Sequence, residues 1–397
     1  MMAAIDNMDN AGGLDEYIGG LLNQGIERQA SDIHIEPTES ADYRIRMRID
    51  GVLHESAACP SALAARLLVG LKIMARLDIA ERRLPQDGQF AFGPPENACS
   101  FRLSTLPTLR GEKIVLRLLR GSLEGLCLER LGMPPAVRQP FLRLLRQPQG
   151  LIILSGPTGS GKTMTLYAAL NALRRERLNI CSVEDPVEIP LPGITQCQVN
   201  PKARLDFPVL LRALLRQDPD VIMVGEIRDR DTAAIAIHAA QTGHLVLATL
   251  HTFCAGDVWQ RFHHLGVSAG QVRPVLLLVM AQRLVRRLCG ACRRAAQDFG
   301  TGTEARAEVG PGGAPHLPAG LSLRRHWRAG GCEQCHHGYA GRHGLFHLLP
   351  GRSPTLLMAA TGTRPHAAEG LWRSGLALVE QGVTTLEELA RVLGEPV

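Results

Sequence analysis

At 397 residues the chain is too long for one ordinary core, and two or three domains are expected. With 45% hydrophobic and 21% charged residues it has a globular composition that excludes a disordered chain, and its longest apolar runs, such as Val275 to Ala281, fall short of the roughly 18 residues a membrane span needs. The formal net charge of +6 suits nucleotide phosphates or an acidic membrane surface without singling out nucleic acid.

Residues 1–12 are small and polar and expected to be disordered. No basic segment followed by an apolar one opens the chain, so no signal peptide is read and a reducing cytoplasm is expected for its Cys. Leu14 to Gln29 form an amphipathic helix with Tyr17, Leu21, Leu22 and Ile26 on one side. Strict alternation follows, Ile33 and Ile35 against Asp32, His34 and Glu36, then Tyr43, Ile45, Met47 and Ile49 against Arg44, Arg46 and Arg48, which predicts half-buried strands with a basic face. Asp50-Gly51 is a hairpin turn signal, and Ser61 is expected to cap a helix running to about Leu77. Ser100 to Thr105 and Lys113 to Leu119 are two more strands, from which Arg102 and Arg117 project. A linker, 121–135, ends in Gly-Met-Pro-Pro.

Beyond it, apolar runs of the parallel-strand kind at 151–154, 180–183, 221–224 and 245–250 alternate with helical stretches, the rhythm of an α/β nucleotide-binding core. From about Leu284 the chain turns basic and Cys-bearing, then passes through a stretch at 300–320 rich in Gly, Pro and Ala that reads as a loop. The end is helical, with Thr385 three positions before Glu388 as a capping box.

Gly156-Pro157-Thr158-Gly159-Ser160-Gly161-Lys162-Thr163 lies between the first of these strands and a helix, the context a P-loop requires. Its glycines let backbone N–H groups close around phosphates, Lys162 neutralises β- and γ-phosphate charge, and the Thr163 hydroxyl suits Mg²⁺. ATP and Mg²⁺ are therefore expected. Hydrolysis needs acids near the strand ends, and two groups stand there: Glu226 after Val221 to Gly225, with Gly225 where many P-loop enzymes place an Asp, and Glu184-Asp185-Pro186-Val187-Glu188. A solvated acidic turn is the alternative for the second. His244 and His251 bracket the strand 245–250, and at its carboxyl end His251 is placed to meet a γ-phosphate or the attacking water, with a structural histidine as the alternative. Cys289-Gly290-Ala291-Cys292 and Cys332-Glu333-Gln334-Cys335 are two knuckles whose four thiolates suit tetrahedral Zn²⁺; a redox centre would need only one pair.

The order of these features resembles the secretion and pilus-assembly ATPases, the hexameric motors of type II secretion and type IV pilus extension. The resemblance runs through Ala30-Ser31-Asp32-Ile33-His34-Ile35-Glu36-Pro37, Arg83-Leu84-Pro85-Gln86-Asp87-Gly88, Val183 to Glu188, Leu215 to Asp220, Gly225-Glu226-Ile227-Arg228-Asp229, Thr242-Gly243-His244 and Ala281-Gln282-Arg283-Leu284-Val285. It implies an α/β chain, with a small PAS-like domain at 13–120, a RecA-like P-loop core at 136–285, a tetracysteine zinc element at 286–348 and a helical region at 349–397. It implies further that Glu188 polarises the attacking water with Glu226 on the Mg²⁺ side, that Glu184, Asp185 and His244 belong to the nucleotide site, and that Arg216 and Arg228 sense or bind phosphate. Arg102 and Arg117 are implied to clamp the γ-phosphate in a neighbouring subunit. The implied partners are five further copies in a homo-hexamer, an inner-membrane platform protein and, through it, pilin-like subunits, with the motor on the cytoplasmic side of a bacterial inner membrane. The short stretch before Ser31 leads to the expectation that the usual docking domain is missing, and the chain carries Gln89 for Arg and Phe253 for Asn. Four cysteines favour the assembly branch over retraction motors. A nucleic-acid translocase is the competing reading, against which the 4% aromatic content counts; a non-hydrolysing scaffold is the third.

Overall fold

The computed structural model describes residues 11–40, 42–94, 98–119, 126–174, 177–295, 323, 325–356 and 369–394. The chain divides into two compact units, Met1–Ser122 and Leu123–Val397. Among the described residues no helix is long and apolar enough to cross a membrane.

In the first unit α1 (Ala11–Glu27) precedes β1 (Asp32–Pro37), β2 (Tyr43–Ile49), β3 (Val52–Cys59), α2 (Ser61–Met74), β4 (Gln86–Phe92), β5 (Cys99–Thr108) and β6 (Gly111–Leu119). The strands form an antiparallel sheet in the order β3-β2-β1-β6-β5-β4. Period two sends Ile33, Ile35, Ile45, Met47, Leu103, Ile114 and Leu116 to one face, where they pack with Ile18, Leu22, Leu67 and Leu71 of the two helices. The charged residues of the same strands line the other face. Two expectations are corrected here. Ala11 and Gly12 already lie in α1, so the helix begins inside the segment expected to be disordered, while residues 1–10 lie outside the described ones. Ser61 is the first helical residue rather than the cap: Pro60 occupies that place and no side chain caps the helix, which ends at Met74, three residues before the expected Leu77. The strands β3 and β4 had no clear alternation to reveal them.

The second unit holds α3 (Pro135–Leu145), β7 (Gly150–Ser155), α4 (Lys162–Leu173), β8 (Ile180–Glu184), β9 (Thr195–Gln198), α5 (Phe207–Leu214), β10 (Val221–Val224), α6 (Arg230–Gln241), β11 (Leu245–Leu250), α7 (Val258–His264), α8 (Ala269–Val272) and β12 (Leu276–Leu288). A ribbon of β13 (Arg294–Ala295) and β14 (Trp327–Arg328) follows, then β15 (Tyr339–Pro350), α9 (Glu369–Glu380) and α10 (Leu386–Leu393). The main sheet runs β15-β12-β7-β11-β10-β8-β9, parallel except for β15, which is antiparallel to β12. Both faces are covered: Leu151, Ile153, Val246 and Ala248 pack with α5, α6 and α7, and Ile152, Leu154, Leu245 and Leu247 with α3 and α4. This is the architecture of an open parallel α/β sheet, whose ligands bind at the carboxyl ends of the strands. The expected Gly-rich loop at 300–320 lies outside the described residues. Thr385 caps α10 by accepting from the Glu388 N–H at 3.2 Å, but the reciprocal half of the expected capping box is missing because the Glu388 carboxylate turns to Arg286 and Arg391.

Candidate active site

The P-loop connects the carboxyl end of β7 to α4. Gly156, Gly159 and Gly161 hold φ of 158°, 77° and 84°; the last two are left-handed, which a side chain disfavours. Space is tight as well. A Cβ on Gly156 would lie 2.6 Å from the Gln282 carbonyl oxygen and the Ser160 Oγ, and one on Gly161 2.9 Å from the Gln282 Nε2. Gln282, on the neighbouring strand β12, thus walls the loop from behind. Lys162, buried at the first position of α4, donates to the carbonyls of Gly156 and Pro157 at 2.8 and 2.9 Å. Burial pushes its amine down to about 8, against the opposing pull of Glu226 and with added repulsion from Arg283. Ser160 Oγ is buried with no hydrogen-bond partner among the described residues, a polar atom in the cradle that a phosphate oxygen would satisfy. Glycine cradle, buried ammonium and orphaned hydroxyl fit a nucleotide phosphate, with the Thr163 hydroxyl beside Lys162 as a ligand for Mg²⁺.

Next to it, the ends of three parallel strands converge on one charged chain of contacts. Glu226 follows β10; its Oε2 accepts from His251 Nε2 at 3.1 Å and its Oε1 meets the Arg228 guanidinium. Arg228 also donates to Asp185 Oδ2 at 3.1 Å, so the acidic turn after β8 is tied to the end of β10. The Glu226 contact raises the Arg228 pKa, with Asp185 adding to it. His251, carrying its proton on Nε2 to serve Glu226, stands at the end of β11. A Cβ at Gly225 would lie 3.2 Å from the Val183 carbonyl oxygen and 3.3 Å from the Glu184 Cα, so any side chain there, an Asp included, would require the adjoining β8 backbone to give by a few tenths of an ångström.

The acids of the turn after β8 separate. Glu184 is buried, and its carboxylate accepts from the Tyr167 hydroxyl, from Ser182 Oγ at 2.5 Å and from Gln196 Nε2 at 3.0 Å. It braces α4 against β8 and β9. Tyr167 is the hub, since its hydroxyl also accepts from the Glu188 N–H at 3.1 Å and so sets where the exposed Glu188 begins.

Strand direction sets two further expected residues apart from the P-loop of this chain. His244 precedes β11, where Leu245 is paired with Gly150, whereas the P-loop leaves β7 after Ser155, opposite Leu250. Six steps at about 3.3 Å per residue put His244 roughly 20 Å from the phosphate end of the same sheet. Its Nδ1 lies 3.0 Å from the Ala239 carbonyl and closes the end of α6. Arg216 lies between α5 and β10 at the same far edge, where Asn179, just before β8, donates to the Gln217 and Asp218 carbonyls; Arg216 itself donates to the Arg212 carbonyl at 2.8 Å. Neither residue reaches this chain's own P-loop. Gln282 and Arg283 stand beside the P-loop with no role assigned from the sequence. Arg283 is buried, donates to the carbonyls of Gln282 and Phe253, and stacks 5.3 Å from the Phe253 ring centroid. Their only sequence signal was an unassigned phrase, Ala281 to Val285.

Arg102 and Arg117 lie on β5 and β6 of the first unit, directly opposite each other. The four knuckle cysteines come together at the far end of β12: the Sγ atoms of Cys289, Cys292, Cys332 and Cys335 lie within 4.8 Å of one another. Sγ separations of 3.8 Å for Cys289 and Cys332, 3.7 Å for Cys292 and Cys335 and 3.6 Å for Cys332 and Cys335 match the edge of about 3.8 Å that a tetrahedron with 2.3 Å Zn–S bonds requires.

Residues 7–391 match the family model described as "Type II/IV secretion system protein". The chain is 49% identical over 393 residues to the "Protein transport protein HofB homolog" of Escherichia coli (strain K12), covering 96% of this chain and 82% of that protein. It is 43% identical over 401 residues to the "Type IV pilus assembly ATPase PilB" of Acinetobacter baylyi, covering 98% of this chain and 68% of the relative. Among solved structures, the pilus retraction motor PilT with bound ADP superposes with a TM-score of 0.59 over 94% of this chain and 96% of its own at 24% identity, a likeness of fold.

Proposed function

We propose that this chain, which belongs to the type II/IV secretion system protein family, hydrolyses ATP with Mg²⁺ as one subunit of a homo-hexameric ring and drives the assembly of pilin-like subunits into a type IV pilus or a secretion pseudopilus. The observation that carries the reading is the convergence of Lys162 and the Glu226–Arg228–His251 group at the carboxyl ends of β7, β10 and β11. Lys162 leaves the P-loop carbonyls to neutralise the β- and γ-phosphates. Thr163 and Glu226 would hold Mg²⁺, which supplies Lewis-acid stabilisation of phosphate charge. Glu188 orients and polarises the attacking water, while His251 and Arg228 hold Glu226 in place; Arg228 also bonds Asp185 of the acidic turn, which suits it to report a γ-phosphate there. Arg102 and Arg117 complete the site from a neighbouring copy, neutralising transition-state charge, so that turnover depends on the ring. Zn²⁺ held by the four thiolates would have a structural role, fastening the end of β12 to the loop before β15. The implied partner is an inner-membrane platform protein, met from the cytoplasmic side. Phosphate release from ATP by purified protein tests the reading: Lys162→Ala and Glu226→Gln should each abolish turnover, and wild-type rates in both variants would overturn it.

A further inference from the structure

The outer face of the six-stranded sheet aligns four charged residues across four strands. Asp32 on β1 is directly paired with Arg117 on β6, Arg117 with Arg102 on β5, and Asp87 on β4 approaches Arg102. Two arginines directly opposite repel each other, and the acids on either side offset that repulsion. The two acids are unequal. The Asp32 side chain is 8% exposed and its Oδ1 accepts from Arg117 Nε at 2.8 Å, whereas Asp87 is 59% exposed and stands 3.9 Å from Arg102. Asp32 is itself fixed, because its Oδ2 accepts from Ser31 Oγ at 2.9 Å and Arg48 Nε lies 3.8 Å away on its other side.

We propose that Asp32 is a positioning residue that orients Arg117 for phosphate, a role that rests on reading Arg117 as part of the clamp. Nε and the two terminal nitrogens of a guanidinium are coplanar, so a bond at Nε sets the plane of the whole fork. The arginine then reaches the neighbouring nucleotide already oriented, and less rotamer freedom is lost when it engages. Arg102 is more loosely held by its exposed acid. The Ser31-Asp32 pair thereby acquires a chemical role, in which the serine hydroxyl orients the carboxylate and the carboxylate orients the arginine.

The test compares kcat and KM for ATP in the full-length chain under ring-forming conditions, for Asp32→Ala, Asp32→Asn, Arg117→Ala and the double variant Asp32→Ala/Arg117→Ala. Glu36→Gln is the control, because Glu36 is an equally buried acid on the same strand that holds Arg46 and Lys113 instead. Asp32→Ala should lower kcat about tenfold with KM changed by less than about threefold, the worth of one charge-assisted hydrogen bond expressed mainly in the transition state. Asp32→Asn, which retains an acceptor oxygen, should recover part of the loss. The double variant should be no slower than Arg117→Ala alone. A double variant slower than Arg117→Ala by the full Asp32→Ala factor, or an equal loss in Glu36→Gln, would make Asp32 a structural acid and overturn the proposal. A wild-type rate in Arg117→Ala would overturn the clamp reading instead, and the proposal with it.

Discussion

Glu388→Gln tests how the strand behind the P-loop is anchored. Glu388, on α10, has a side chain 0% exposed, and it accepts from Arg286 Nε and from the Arg286 backbone N–H, each at 2.9 Å, and from Arg391 at 2.7 Å. Arg286 lies on β12 four residues after Gln282, stacks 4.0 Å from the Tyr339 ring centroid, and is 17% exposed; Arg391 is 47% exposed. Removing the charge leaves Arg286 buried beside a neutral amide, a loss of about 3 kcal/mol by the usual cost of breaking a buried pair. Arg391 can hydrate, so Arg391→Ala should cost about 1 kcal/mol or less. For a unit of this size the Glu388→Gln midpoint should fall by roughly 6–12 °C. Burial acts to raise the Glu388 pKa, but Arg391 and Arg286 outweigh it and the folded value is lowered. A depressed carboxyl stabilises the fold above the ordinary glutamate range and loses that contribution as pH falls through the folded value. The gap between wild type and Glu388→Gln in thermal melts should therefore be full at pH 7 and narrow below about pH 4. A midpoint shift under about 2 °C at pH 7, or a gap that widens in acid, would refute the argument.

Two further predictions concern the phosphate cradle and the thiolates. Because the Lys162 amine titrates near 8 before nucleotide binds, the charged form that phosphate requires is lost as pH rises. Affinity for MgATP, measured with a fluorescent analogue, should fall about tenfold between pH 7 and pH 9, and a flat profile would contradict the burial of that amine. Reduced protein should carry about one zinc per chain, and Cys289→Ser or Cys332→Ser should lower both the zinc content and the melting temperature.

The parts of the molecule that were legible in the sequence are those fixed by local spacing. The P-loop needs glycines at set positions between a strand and a helix, and the runs at 221–224 and 245–250 are apolar because both faces of their sheet are covered. Strands with one wet face and mixed residues, β3 and β4, gave no such period. The long strands β12 and β15 were hidden because their outer halves turn basic and Cys-flanked, although register places them beside β7. At the site, the Asp185–Arg228–Glu226–His251 chain joins three separate strand ends, and no local motif encodes such a meeting. His244 and Arg216 show the converse. Each stands beside an informative phrase, yet a strand has two ends and only topology says which one holds the phosphate.

Subunit mixing tests most directly whether the site is completed by a neighbour. Lys162→Ala has no working phosphate lysine but intact arginines, and Arg117→Ala the reverse, so each should be nearly inactive alone. Mixed under ring-forming conditions, they should regain ATPase activity at the interfaces that join an intact P-loop to an intact Arg117. Activity that stays at the sum of the two separate variants, although the subunits exchange, would contradict the shared site and with it the ring motor built upon it.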